Sequence, residues 1–260
     1  MIKPLSDLLR PLTFRGKARL LHKLCPKEGE RDAEIFGYRI SLDRRDYIQR
    51  SMYLGTFEPF ESSQVKSYLK EGMTFVDVGA NVGYYTLMAA SLVGSNGRVI
   101  AFEPSAYAFG RLDETIRKNK LKQVQAIQAG LGDTNGQLPL FVSPRKGNHT
   151  PSMVPNAGGR PVDVPLRRLD DYLGEHEVDH VDFMKIDVEG FEPNVIRGAG
   201  KYIERGKIHA ILCEFNAHWL TANKSSSHAL YDLLISHGFK SASGKPKLEA
   251  RVQNILFTIA

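Results

Sequence analysis

From residue 74 onward, apolar and polar positions fall into a regular alternation of two periods. Short apolar runs read as strands: 74–78 (TFVDV), 98–104 (RVIAFEP), 124–131 (VQAIQAGL), 181–188 (VDFMKIDV) and 208–215 (IHAILCEF). Between them the apolar positions recur at helical spacing. Residues 84–93 (YYTLMAASLV) predict one helix. Ala106, Phe109, Leu112 and Ile116 predict the inward face of a second, and Val195, Ile196, Ala199 and Ile203 that of a third. A fourth, 226–238 (SSHALYDLLISHG), stops on a glycine, and 251–260 (RVQNILFTIA) closes the chain as a last strand. Strands alternating with helices predict an α/β fold: a doubly wound, mostly parallel sheet with helices on both faces.

The flanks are less regular. Residues 34–42 (EIFGYRISL) alternate and predict one strand, and 55–70 predict a helix ending near Gly72. Asn135-Gly136 reads as a turn before a strand at 136–141. Residues 143–165 carry five prolines and three glycines. A structureless loop of that length inside a domain is uncommon and is often functional. His149 lies in it.

In such a sheet ligands bind beyond the carboxyl ends of the strands. There the chain reads Asp77-x-Gly79-x-x-x-Gly83. The glycines remove side chains where backbone bends and a ligand approaches, and a helix starting near Asn81 would point free N–H groups at it. A dinucleotide fingerprint would read G-x-G-x-x-G; here the middle glycine is missing and an acid opens the turn. An acid suits a ligand carrying an ammonium or sulfonium rather than a pyrophosphate. The next strand ends in Glu103, followed by Pro104. A carboxylate there can accept two hydrogen bonds from a ribose diol. Acid, glycine turn and second acid form the layout expected for S-adenosylmethionine.

At these residues the chain resembles the FkbM family of S-adenosylmethionine-dependent methyltransferases. VDVGANVGYYT, RVIAFEPS, LGDTNG, RRLDDYL and DFMKIDVEGFEPNVIRGA are similar to its segments, in its order, over about residues 50–240. The resemblance implies a class I methyltransferase (Rossmann-like) fold of about seven strands, the last antiparallel. The basic leader and the strand at 34–42 make residues 1–50 an N-terminal extension, with the methyltransferase domain expected at 51–260. The resemblance also implies O-methylation of a hydroxyl on a sugar, glycan or other small natural product. By matching motif, Gly79, Ala80, Asn81 and Gly83 would cradle the methionine part. Asp77 would lie near its ammonium, Glu103 with Pro104 at the ribose, and Asp133 near the adenine. Tyr84 and Tyr85 would line the pocket.

An aliphatic hydroxyl is a poor nucleophile while protonated, so a base is expected. The candidates lie at carboxyl ends of central strands: Asp187 and Glu189 in KIDVEG, Glu214 and His218 in CEFNAHW. Asp187 can instead contact the cofactor. Glu189 and Glu214 can equally belong to structural ion pairs, and His218 beside Trp219 can be a packed histidine. Three carboxylates at one mouth can also hold a divalent metal, although no metal site is predicted.

Composition narrows the alternatives. Net charge is +6, and residues 1–31 hold eight basic against three acidic residues. A basic leader can rest on an anionic membrane, on RNA, or simply face solvent. A ribose 2′-hydroxyl of RNA is therefore the alternative acceptor. Base-amine methylation is disfavoured, since Asp187-Val188-Glu189-Gly190 lacks the Pro-Pro-aromatic stretch, and acids repel phosphates. Nucleic acid is accordingly not the expected partner. A non-catalytic S-adenosylmethionine-binding protein is the remaining alternative. No apolar run of membrane-spanning length and no secretory h-region is present. Two distant cysteines, Cys25 and Cys213, make no disulfide framework. The expected location is cytoplasmic, with peripheral contact at the inner membrane face one role open to the leader beside that of a solvated helix face packed on the domain.

Overall fold

The structure, a computed structural model, describes residues 16–142, 151–152, 161–242, 244 and 246–259. Residues 1–15 of the basic leader, most of the Pro/Gly-rich segment and His149 lie outside the described residues.

The elements run in the following order: α1 (Lys17–Leu24), β1 (Glu30–Ile35), β2 (Tyr38–Asp43), α2 (Tyr47–Leu54), α3 (Pro59–Tyr68), β3 (Thr74–Val78), α4 (Tyr84–Val93), β4 (Arg98–Phe102), α5 (Ala106–Asn119) and β5 (Val124–Ile127). They continue with β6 (Gly130–Leu131), β7 (Gly136–Val142), β8 (Pro151–Ser152), β9 (Pro161–Arg167), α6 (Leu169–Glu175), β10 (Phe183–Ile186), α7 (Glu192–Gly198) and α8 (Gly200–Glu204). The last are β11 (Ala210–Asn216), α9 (Ala217–Ala222), α10 (Ser227–Ser236), β12 (Phe239–Ser241) and β13 (Val252–Ile259).

The central sheet has seven strands in the order β12-β13-β11-β10-β3-β4-β5. β13 pairs antiparallel with both its neighbours, while the pairings from β11 to β5 are parallel. This is the doubly wound, Rossmann-like arrangement of class I methyltransferases. Side chains alternate across each strand. Val76, Val78, Met184, Ile186, Ile211 and Cys213 enter one core with α6, α7 and α10. Phe75, Phe183 and Leu212 enter the other, with α2, α3 and α4. The same period sends Asp77 and Lys185 to the second face, where the strand register pairs them.

Several local expectations are corrected. The single strand expected at 34–42 is a hairpin, β1 against β2. Phe36 and Gly37 both have positive φ, 54° and 84°, the two-residue turn that matches strand twist. α2 was not expected; its start is fixed by the Asp46 side chain, which accepts from the Gln49 amide at 2.8 Å. The inward face of α5 is Ala108, Leu112 and Thr115, with Phe109 and Ile116 half-buried beside it. Ala106, expected inward, is the first helical residue and is exposed. The strand expected at 124–131 breaks: β5 stays in the central sheet, and β6 leaves it to join β9 and β7. Residues 161–165, expected inside a structureless loop, belong to β9.

Candidate active site

A cavity of about 410 Å³ opens beyond the carboxyl ends of β3, β4, β10 and β11, within the usual size range of small-molecule sites. Of the residues singled out from the sequence, Gly79, Ala80, Asn81, Tyr84, Tyr85, Glu103 and Pro104 line it, as do Asp187, Glu189 and Glu214. Asp77, Gly83, Asp133 and His218 do not.

The turn after β3 is shaped more by the protein than by a ligand. Gly79 has φ 82°, and a Cβ there would stand 1.9 Å from the Asp187 carbonyl oxygen. The missing side chain therefore admits the β10–α7 loop. At Gly83, φ 99°, a Cβ would meet Leu112 Cδ1 at 2.6 Å. The expected free N–H groups are absent from this turn. The Gly79 and Ala80 amides both donate to the Phe102 carbonyl at 3.0 Å, and Gly83 donates to Ala80 at 2.9 Å. The Val82 amide donates to Asn81 Oδ1 at 2.8 Å. Helix α4 starts only at Tyr84.

The Asn81 amide instead donates to Glu103 Oε2 at 2.8 Å, and the Ser105 amide donates to Oε1 at 2.8 Å. Glu103 is thus fixed by both oxygens at the cavity wall, each keeping acceptor capacity. Burial raises its carboxyl to about 7, although the two amides pull it down.

Asp77 is 1% exposed, and its Oδ2 accepts the Thr86 hydroxyl at 2.6 Å. Burial raises its carboxyl, and Lys185 opposes the rise. Lys185 lies among acids. Its Nζ donates to Asp187 Oδ2 at 2.8 Å and sits 4.6 Å from the Tyr85 ring centroid. The Tyr85 hydroxyl donates to Glu58 Oε2 at 2.5 Å. Burial works against the Lys185 charge, but Asp187, Glu58 and Asp77 outweigh it and hold the ammonium above its ordinary value.

On the β10–α7 loop, Glu192 Oε1 accepts from the Val188 and Gly190 amides at 3.2 and 3.1 Å. Glu189 sits between them with φ 52°. Glu189 Oε2 and Glu214 Oε2 are buried without a hydrogen-bond partner. Burial, then the Asp187 charge, raises Glu189 to about 8. The same causes, with Glu189 added, raise Glu214 further. Among the described residues, no group of three or more His, Cys, Asp or Glu side chains is arranged to hold a metal ion.

The residues outside the cavity have other partners. Asp133 Oδ2 accepts from Asn194 at 3.3 Å and lies 4.0 Å from Arg197; Ala129, Gly130 and Leu131 line the cavity in its place. His218 is exposed in α9 and packs edge-on against Trp219 at 4.9 Å. Sequence reasoning missed one whole wall, residues 47–58, including Glu58. Its one readable signal was Asp46-x-x-Gln49, a helix start pointing at this region.

A mostly parallel sheet with this strand order, and a small-ligand cavity at its carboxyl edge, defines a Rossmann-like protein of the class I methyltransferase type. The chain belongs to the FkbM methyltransferase family: the family model described as "Methyltransferase FkbM domain" matches residues 77–241. It is 32% identical over 155 residues to the methyltransferase sdnD of Sordaria araneosa, covering 47% of this chain and 59% of that one. It is 24% identical over 220 residues to the 2-O-methyltransferase NoeI of Sinorhizobium fredii, covering 77% and 87%. It is 27% identical over 141 residues to the hexuronic acid methyltransferase AglP of Haloferax volcanii, covering 54% and 55%. The chain thus spans less than two thirds of the length of sdnD and AglP.

Proposed function

We propose that the chain is an S-adenosylmethionine-dependent methyltransferase that methylates a hydroxyl of a sugar, glycan or other small natural product. The observation that carries this reading is Glu103, fixed through both oxygens at the wall of the cavity beside the 79–81 turn. A carboxylate so placed suits a vicinal diol. The surrounding acids suit a cationic cofactor and oppose phosphate groups. The relatives named as a 2-O-methyltransferase and a hexuronic acid methyltransferase favour a hydroxyl acceptor over an RNA one.

S-adenosylmethionine would supply a sulfonium-bound methyl group that an oxygen nucleophile displaces in line. Glu103 would hold its ribose, and Gly79, Ala80 and Asn81 would border its methionine end. Ala129 to Leu131 would border the adenine. Asp77 lies behind the wall as a counter-charge of Lys185 after Asp187 and Glu58, and Lys185 fixes the Asp187 carboxylate. Asp187, Glu189 and Glu214 are the groups able to accept the hydroxyl proton. Glu189, raised to about 8, is best matched to take a proton near neutral pH. Holding the reactants in line supplies roughly 7–11 kcal/mol of the barrier, and the base adds a factor of about 10²–10⁴.

Calorimetric titration with S-adenosylmethionine, S-adenosylhomocysteine and NAD tests the reading, beside Glu103→Ala. Both sulfur ligands should bind with Kd on the order of micromolar, NAD should not, and Glu103→Ala should lose the binding. Because that change also frees two buried amides, its melting curve is needed as a control. Failure of the wild-type chain to bind either sulfur ligand would overturn the proposal.

A further inference from the structure

The family match begins at residue 77, yet seven of the cavity-lining residues, between Tyr47 and Glu58, precede it. They form one braced wall. The His22 Nε2 atom of α1 lies 3.2 Å from Thr56 Oγ1 and 3.3 Å from Ser51 Oγ. Its ring stacks on Tyr47 at 5.0 Å. The other side of the wall is tied to α4: Tyr84 donates to the Phe57 carbonyl at 3.3 Å and Tyr85 to Glu58 Oε2 at 2.5 Å.

Glu58 is the polar centre of this wall. Its backbone is left-handed, φ 37°, a conformation that non-glycine residues seldom adopt and that recurs where a side chain is held for a task. Tyr85 occupies one carboxylate oxygen; the other, Oε1, accepts no hydrogen bond from the described residues, and Glu58 lines the cavity. The charge around it is one-sided. Among the described residues, Glu58, Glu103, Asp187, Glu189 and Glu214 line the cavity against a single cation, Lys185, whose ammonium is committed to Asp187. A further anion would enter a carboxyl-rich, partly desolvated space in which the described residues leave no cation free to meet it.

We infer that residues 47–58 form the acceptor half of the cavity, where Glu58 Oε1 receives a hydroxyl of an uncharged polyhydroxyl acceptor and anionic acceptors are excluded. This rests on the methyltransferase reading. In one respect it parts from the relative named for hexuronic acid, since a uronate would be refused here. Ile48, Met52 and Phe57 give the wall an apolar surface for the carbon face of such a molecule, and Tyr47 is 63% exposed at its edge.

The probes are methyl β-glucopyranoside and methyl β-glucopyranosiduronate, offered by ligand-observed NMR to the full chain saturated with S-adenosylhomocysteine. The neutral glycoside should bind, and the uronate at least ten times more weakly. Glu58→Gln should weaken the neutral glycoside at least fivefold while leaving S-adenosylhomocysteine affinity within twofold. If Glu58→Gln does not fold, Tyr47→Ala reads the same wall, with the same split between the two ligands. Binding of neither glycoside, equal or tighter binding of the uronate, or variants that change nothing would overturn the inference while leaving the methyltransferase reading standing. A wild-type chain that binds no S-adenosylhomocysteine would remove both.

Discussion

Replacing Lys185 by Met tests the electrostatic frame of the site most directly. Lys185 is 2% exposed and bonds Asp187 at 2.8 Å, with Asp77 and Glu58 as its other main counter-charges. Methionine fills a similar volume, so the change removes charge with little cavity. Removing one partner of a buried ion pair costs roughly 3–5 kcal/mol. Asp187 keeps 28% of its side-chain surface in water, which places the expected loss near the lower end, about 3 kcal/mol at pH 8. The loss must also depend on pH. In the wild type the Lys185 pKa is raised, so its contribution is full below the unfolded value of about 10.4 and is lost only above it. Between pH 5 and 8 it is therefore constant. In the variant, Asp77 and Glu58 lose the cation that opposes their upward shifts, and the folded state takes up protons more readily as pH falls. The penalty should shrink to below about 1 kcal/mol at pH 5. Urea denaturation of both proteins at pH 8, 6.5 and 5 measures it. A loss under 1 kcal/mol at pH 8, or one that does not change with pH, would refute the reasoning.

The carboxyls of Glu103, Glu189 and Glu192 are raised to about 7, 8 and 7. Folding then favours their protonated forms, so stability should fall as pH rises from about 5 to 8.5, the reverse of a salt-bridged carboxylate; melting curves of the ligand-free protein check the slope. Glu214→Gln removes a buried carboxyl that folding must protonate at pH 8 and should raise stability by about 1 kcal/mol there while lowering turnover, read by denaturation and methyl-transfer assay together. Gly79→Ala places a Cβ 1.9 Å from backbone, whereas Gly83→Ala meets only the end of Leu112. The first should therefore cost more than the second, roughly 3 against 1–2 kcal/mol, and should also weaken S-adenosylhomocysteine in calorimetry. His218→Ala should leave turnover within twofold, because the ring lies outside the cavity wall.

The central sheet was legible because burial on both faces leaves near-continuous apolar runs, and TFVDV and FMKI are such runs. Asp77 and Lys185 interrupt them at matching register positions, a sign that the two charges meet. What escaped reading was set by backbone geometry. In EIFGYRISL the buried Ile35 and the buried Ile40 and Leu42 sit at odd and even positions; the turn at Phe36-Gly37 reverses the parity, and the stretch reads as one ragged strand. Residues 124–131 read as one strand because nothing in their composition announces the transfer of β6 to another sheet. At the site, Glu103 and Asp187 were visible as acids ending apolar runs. Glu58 was not, since it ends no strand and only its left-handed backbone and the Tyr85 bond turn it toward the cavity.

These features share one cause. Burying several carboxyls around one ammonium costs stability, and the raised carboxyls of Glu189 and Glu214 show that the ligand-free fold meets that cost by holding protons on them. A protein selected for stability alone would replace such a cluster with apolar side chains. The cluster stands where two elements meet: a β10–α7 loop inside the family match and an α2–α3 wall outside it. In the proposed reaction a sulfonium enters that field, so the ligand supplies the positive charge that the ligand-free site lacks. The transfer removes it, because the methyl group leaves with the acceptor and the sulfur becomes neutral. The same acids that hold the charged donor then hold the neutral product less tightly, which favours donor over product without any moving part.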